Sequence, residues 1–239
     1  MGGLLVPEDL VIYAPCAARF LLRQAQARSC ELYLDKVVEI RSDRVVLEKG
    51  GVLHAGAIVN AAGTWASQLT PGLEMRPRKG QLVITDRYPG FVRHQLVELG
   101  YLKSAHTLTA ESFAFNVQPR MTGQLLIGSS RQFGVEDQAI DNHIIAGMLA
   151  RACEYLPELR GMSAIRCWTG FRAATPDKLP LIGKCPGHER LYLATGHEGL
   201  GITTSLGTAR LLLDQLLQRA PAIPAEPYLP SRNPEFAHA

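Results

Sequence analysis

The chain has 239 residues, of which 25 are Lys or Arg and 22 are Asp or Glu, a formal +3 with His neutral. With 46% apolar and 20% charged residues it has the material for a packed core, which excludes intrinsic disorder. A net charge this small, without basic blocks, argues against nucleic acid or a membrane surface as the main partner, and no apolar run approaches the ~18 residues of a spanning helix.

The start, Met-Gly-Gly-Leu-Leu-Val-Pro-Glu-Asp, lacks the basic and apolar segments of a signal peptide and the Ser or Thr of a myristoylation signal. The chain therefore reads as soluble and cytoplasmic. Leu4–Val6 and Leu10–Tyr13 are short apolar runs. Pro15 suits the first turn of a helix whose stripe is Ala18, Leu21, Leu22 and Ala25. Lys36–Arg41, Arg44–Glu48 and Val52–His54 predict a β-meander, turning at Ser42-Asp43 and Lys49-Gly50-Gly51. Ala57–Ala61 predicts a strand buried on both faces, ending at Ala62-Gly63.

From about Arg76 to Ser130 the pattern changes to short alternating runs, Gln81–Thr85, Val92–Leu96, Phe113–Gln118 and Gln124–Ser129, as expected of an antiparallel sheet. A helix follows, with Ile140, Ile144, Met148, Ala152 and Tyr155 on one face and Pro157 as its stop. Arg190–Ala194 predicts a strand. Thr195-Gly-His-Glu-Gly-Leu-Gly201 is a glycine-rich turn, and a helix runs from about Ile202 to Gln218 with Leu206, Ala209, Leu213 and Leu216/Leu217 inward. Prolines at 221, 224, 227, 230 and 234 predict an extended arm. The five cysteines, 16, 30, 153, 167 and 185, show no CxxC and read as reduced, mostly buried thiols.

Two segments carry the chemistry. Three glycines in the turn entering the last helix leave N–H groups aimed at a partially or fully negative group, or else allow tight packing against a neighbouring strand. The order is Gly-x-x-Gly-x-Gly, and the chain holds no Gly-x-Gly-x-x-Gly after a strand and no Walker A motif. In Trp168-Thr-Gly-Phe-Arg172-Ala-Ala-Thr-Pro-Asp-Lys-Leu-Pro-Leu-Ile-Gly183, Arg172 stands among apolar residues. Its planar fork suits a carboxylate held bidentately, or alternatively an internal salt bridge to Asp177.

These segments, with Gly3–Pro7, Ile58–Ala66, Pro77-Arg-Lys-Gly-Gln81, Gln118–Gly128 and Ala194–Thr203, resemble in order the D-amino-acid oxidase-like family of FAD-dependent oxidoreductases. That family includes glycine and sarcosine oxidases and D-amino-acid or D-hydroxyproline dehydrogenases. The resemblance implies an α/β protein with an incomplete doubly wound FAD-binding domain, 1–74 and 166–222, interrupted by an antiparallel substrate domain, 75–165, and followed by an arm, 223–239. The β-α-β unit that grips the ADP half of FAD is expected before Gly2 and is missing. The chain is accordingly expected to be a truncated product, or to receive that half from a second chain, and to bind FAD weakly or not at all alone.

The resemblance further implies hydride transfer from the Cα–H of a small amino or imino acid to flavin N5, oxidising its C–N bond, with Arg172 holding the carboxylate. Gly199, Leu200, Gly201, Ile202 and Thr203 would face the flavin's pyrimidine edge. Ala62, Gly63, Trp65, Gly170 and His197 would touch the cofactor, and Val38 the adenine through its backbone. Phe115 and Arg131 would line the substrate pocket, with plain core for Phe115 and surface charge for Arg131 as the alternatives. Glu198 would select a positively charged substrate amine. The rival implication is a partner-dependent, non-catalytic subunit or an inactive remnant.

Overall fold

The computed structural model describes residues 2–100 and 111–233, which fall into two units. The first gathers the described residues of Met1–Leu32, Gly80–Gln132 and Asp137–Gly170; the second gathers those of Tyr33–Lys79, Phe133–Glu136 and Phe171–Ala239. The helix near the start thus groups with the middle of the chain and not with the meander that follows it.

That helix, α1 (Ala14–Gln26), has proline in its first turn, where a missing N–H costs nothing. None of its residues is buried, and Phe20 and Leu21 stand exposed. The Arg120 guanidinium lies 5.1 Å from the ring centroid of Tyr13, at the helix entrance. Further along, β6 (Leu96–Val97) and β8 (Gln124–Phe133) each pair antiparallel with β7 (Glu111–Pro119). Of the run at 92–96 only Leu96 falls in a strand, the two-residue β6, which follows the turn that Phe91 N–H closes on Tyr88 O at 3.3 Å. Val83, Phe115, Val117, Leu125 and Ile127 form a core with α3 (Asn142–Tyr155), which contributes Met148 and Ala152.

The predicted helical stripe is therefore the buried one at its centre. Its ends, Ile140 and Tyr155, remain exposed. Asp141 caps α3, accepting from His143 N–H at 2.9 Å and Ile144 N–H at 3.4 Å. Substituting Asp141 by Ala is expected to cost about 1 kcal/mol, read as a lower denaturant midpoint with an unchanged slope.

In the second unit, β1 (Val37–Ile40), β2 (Arg44–Leu47) and β3 (Val52–His54) form the predicted antiparallel meander. A second sheet has the order β10-β11-β4, with β10 (Leu181–Lys184) antiparallel and β4 (Ile58–Asn60) parallel to β11 (Leu191–Thr195). Ile58, Leu181, Leu191 and Leu193 make the core between these elements. Here β4 departs from expectation. Ile58 and Asn60 are buried but Val59 is 42% exposed, because β4 lies at the sheet edge and one of its faces is uncovered.

The last helix, α4 (Gly201–Leu216), also departs. Its buried side is Thr208, Leu211, Leu212 and Asp214, whereas Leu206, Leu213 and Leu217 are exposed. The buried side carries Thr208 and Asp214 beside its two leucines and is no more apolar than the exposed one, so contacts beyond the helix decide which turns inward. Ile182 of β10 packs on Leu211 and Leu212, and Gln215 Oε1 accepts from Lys184 N–H at 3.2 Å. Gly183 permits this approach, since a Cβ there would lie 2.5 Å from Gln215 Oε1.

The proline-rich tail is not simply extended. Glu226–Tyr228 and Pro230–Arg232 are 3-10 turns, and Ala225 and Pro230 are buried. Of the thiols only Cys185 is buried. Cys16 and Cys30 are exposed, the former on the unpacked α1 and the latter just beyond it. Among the described residues no helix is long and apolar enough to cross a membrane.

Candidate active site

β4 and β11 run parallel, so their C-terminal ends lie on one edge of the sheet, the edge at which open α/β sheets collect ligands. Two loops leave from it. After β4, buried Asn60 donates from Nδ2 to Ala66 O, at the start of the short helix α2 (Ala66–Leu69), and to Thr70 Oγ1, both at 2.9 Å, and its Oδ1 accepts from Ala62 N–H at 3.2 Å. This shapes the turn through Ala62, Gly63 and Trp65, and Gly63 takes the left-handed φ of +60°. After β11, Thr195 Oγ1 donates to Gly63 O at 3.0 Å, which ties the glycine-rich turn to the first loop.

The three glycines of that turn do different work. A Cβ at Gly196 would sit 2.6 Å from Thr175 Cγ2, so this position answers to packing. At Gly199 the nearest neighbour of a Cβ would be Arg172 Cδ, 4.0 Å away, so the Arg172 side chain runs alongside the turn. At Gly201 a Cβ would meet His197 Cβ at 3.4 Å. The turn is pinned to β9 (Ala164–Ala174) where that strand carries Arg172. Ala174 bridges His197, and Glu198 N–H donates to Ala173 O at 2.8 Å.

The entrance to α4 is a 16-residue helix start without a side-chain cap. Thr204 N–H makes the first helical bond, to Leu200 O at 2.9 Å, so the N–H groups of Gly201, Ile202 and Thr203 have no intrahelical acceptor. Leu200, Ile202 and Trp65 are exposed apolar side chains of the same loops.

His197 Nε2 lies 2.7 Å from Thr208 Oγ1, and burial pushes its imidazole below the ordinary histidine range. The sign follows from proton uptake. The unfolded chain binds a proton near pH 6.5 that the folded chain refuses until a lower pH. This contribution to stability is therefore complete above that value and is lost as the pH falls toward the folded one. Thermal melts from about pH 7.5 to 5.5 should show the wild type losing more stability than His197→Asn. Parallel curves would rule the effect out.

Arg172, Ala62, Gly63, Trp65 and residues 197–203 thus lie on linked segments of one unit. Val38 is on β1, in the separate meander sheet. Phe115 and Arg131 belong to the other unit. There Phe115 packs in the core and stacks on Tyr155 with centroids 4.4 Å apart, while Arg131 is buried and not a surface charge. Gly170 meets open space on its Cβ side. The salt bridge drawn between Arg172 and Asp177 is not formed by this carboxylate, which accepts from Arg232 at 2.7 and 3.3 Å.

One residue escaped sequence reading. Arg78, on β5 (Arg76–Arg87), is 2% exposed, and its Nη1 donates to Glu198 Oε1. Its guanidinium carbon lies 4.3 Å from the Phe133 ring centroid, and its buried Nε has no hydrogen-bond partner among the described residues. The Glu198 carboxylate, read as a selector of a substrate amine, is thus engaged by Arg78.

A parallel strand pair with a glycine turn and an uncapped helix start at its C-terminal end is a ligand-collecting arrangement of the α/β class. Residues 1–215 match the family described as FAD dependent oxidoreductase (DAO), and the chain belongs to that family. A glycine oxidase from Pseudomonas putida is 32% identical over 75% of this chain and 47% of its own length. The hydrogen cyanide synthase subunit HcnC of Pseudomonas aeruginosa is 32% identical over 82% of this chain and 45% of its own. The crystal structure of glycine oxidase from Geobacillus kaustophilus superposes with a TM-score of 0.72 at 26% identity, covering 85% of this chain and 53% of that one. The fold is accordingly the FAD-binding fold of the family, and FAD is the family's cofactor. The chain spans about half the length of these relatives.

Proposed function

We propose that this chain is the substrate-holding and flavin-ring-facing portion of a cytoplasmic FAD-dependent oxidoreductase that oxidises the C–N bond of a small amino or imino acid. The observation that carries this reading is the placement of Arg172 beside Gly199 at the uncapped start of α4. The residues fit the cofactor. An uncapped N-terminus offers N–H groups and a positive dipole end to an electron-rich ring edge, and the exposed Leu200, Ile202 and Trp65 offer apolar contact. FAD, when bound, supplies the two-electron acceptor. Arg172 binds and orients the substrate carboxylate through its planar fork, so that positioning provides much of the rate. Gly201, Ile202 and Thr203 favour negative charge at the helix start.

Partner dependence is the second reading, and specific observations favour it. β4 is an edge strand with Val59 exposed, and α4, in the same unit, presents an uncovered apolar stripe of Leu206, Leu213 and Leu217. We infer that a strand–helix unit carrying the Gly-x-Gly-x-x-Gly motif, from the same polypeptide or a second chain, covers this face and grips the ADP half. The deciding experiment is flavin content measured together with a screen of D-amino acids, glycine, sarcosine and D-hydroxyproline, for the chain alone and with such a unit. Turnover of one of these substrates by the complemented protein supports the proposal. Stoichiometric flavin without turnover of any of them sinks it, and stoichiometric flavin in the chain alone removes the partner reading.

A further inference from the structure

Buried cations are rare because desolvation opposes them, and those that persist are paired. Arg78 is such a cation. It is enclosed to 2% exposure, stacked on Phe133, and anchored by one carboxylate, Glu198. Glu198 is unusual in its own right. It takes a φ of +49°, a left-handed conformation that a non-glycine residue holds only when its surroundings impose it.

Two bonds hold that conformation from opposite ends. The backbone N–H of Glu198 donates to Ala173 O at 2.8 Å, next to Arg172, and its side chain reaches back to Arg78. The next residue, Gly199, is the one alongside the Arg172 side chain. Leu200 N–H then closes the turn on His197 O at 3.0 Å, immediately before α4 begins.

We propose that Arg78 and Glu198 form a positioning pair. The buried guanidinium fixes the His197–Gly201 turn against the strand segment bearing Arg172, and so sets the spacing between that arginine and the α4 start. Arg78 acts through Glu198 and not on the substrate. The consequence for ligand binding rests on the reading of Arg172 as a carboxylate anchor; the clamp itself does not.

Amide hydrogen exchange on the full chain tests the clamp without flavin. In Glu198→Gln, exchange of the backbone amides at positions 198 and 200 is expected to quicken by about tenfold or more, with β2 and β3 unchanged. Arg78→Lys, which keeps the charge, is expected to fall between the two. Because Glu198→Gln strands a buried cation, the double variant Arg78→Met with Glu198→Gln serves as the folding control, and it should show the same loosened turn. Exchange within about twofold of wild type in either folded variant overturns the clamp. Titration with propionate then separates positioning from mere structure. Affinity is expected to fall about fivefold or more in Glu198→Gln and to return in part with Arg78→Lys. Equal affinity despite a loosened turn overturns the positioning role. Propionate binding that is identical in wild type and Arg172→Met overturns the anchor reading, and exchange alone then judges the clamp.

Discussion

Arg172→Met is expected to weaken carboxylate-substrate binding in the flavin-loaded, complemented protein by about one and a half to three and a half orders of magnitude. Losing one partner of a hydrogen-bonded charge pair in a water-poor site costs about 2–5 kcal/mol, and each 1.4 kcal/mol is a factor of ten. The loss should appear mainly as a raised KM, because the same pair exists in the ground state and the transition state. Part of it should also enter kcat through misalignment of the reacting carbon. Arg172→Lys keeps the charge but not the planar fork and should lie between the two. The Arg172 stem runs past Gly199, and methionine keeps an unbranched stem there, so the Glu198 and Leu200 amides, bonded to Ala173 O and His197 O, should remain protected. An unchanged KM would remove Arg172 from the substrate and leave the sheet edge without its cationic group.

What was legible in the sequence depended on local information. The β-meander was readable because alternation and turn glycines are properties of neighbouring residues, and β1 to β3 formed where those signals stood. The centre of α3 was readable because Ile144, Met148 and Ala152 form its one dominant apolar stripe. In α4 the reading failed. Leu206–Leu213–Leu217 and Thr208–Leu211–Leu212 both repeat at helical spacing, and the choice between them is made by Ile182 of β10 and Ala225 of the tail, which lie outside the helix.

The same limit governed the site. Glycine spacing pointed to the turn but could not tell that Gly196 serves packing against Thr175 while Gly199 borders Arg172. Glu198 looked like a free carboxylate because its partner, Arg78, lies 120 positions away. The available signal was Arg78-Lys79 inside an otherwise strand-like run, since two adjacent cations in a buried strand demand partners.

Leu206→Lys combined with Leu213→Lys is expected to leave the isolated chain folded and to abolish its assembly with a Gly-x-Gly-x-x-Gly-bearing unit. Leu206 is 71% and Leu213 45% exposed, so neither contributes much to the chain's own core. Lysine is also a good helix former, and α4 should persist. In the covered state each leucine would gain about 1.5–3 kcal/mol on burial, and each lysine would add a desolvation cost. Together these amount to about two to four orders of magnitude in association. Flavin incorporation should fall in parallel, because the unit lost is the one proposed to hold the ADP half. The isolated double variant should at the same time aggregate less than wild type, since its exposed apolar stripe is interrupted. The opposite-face variant Leu211→Lys supplies the contrast. Leu211 is buried against Ile182 and Leu212, so this change should unfold the helix's packing and lower stability before any question of assembly arises. Assembly and flavin content undiminished in the double variant would show that α4 turns this face to solvent in the working protein, and the covering unit would then have to be sought along the β4 edge.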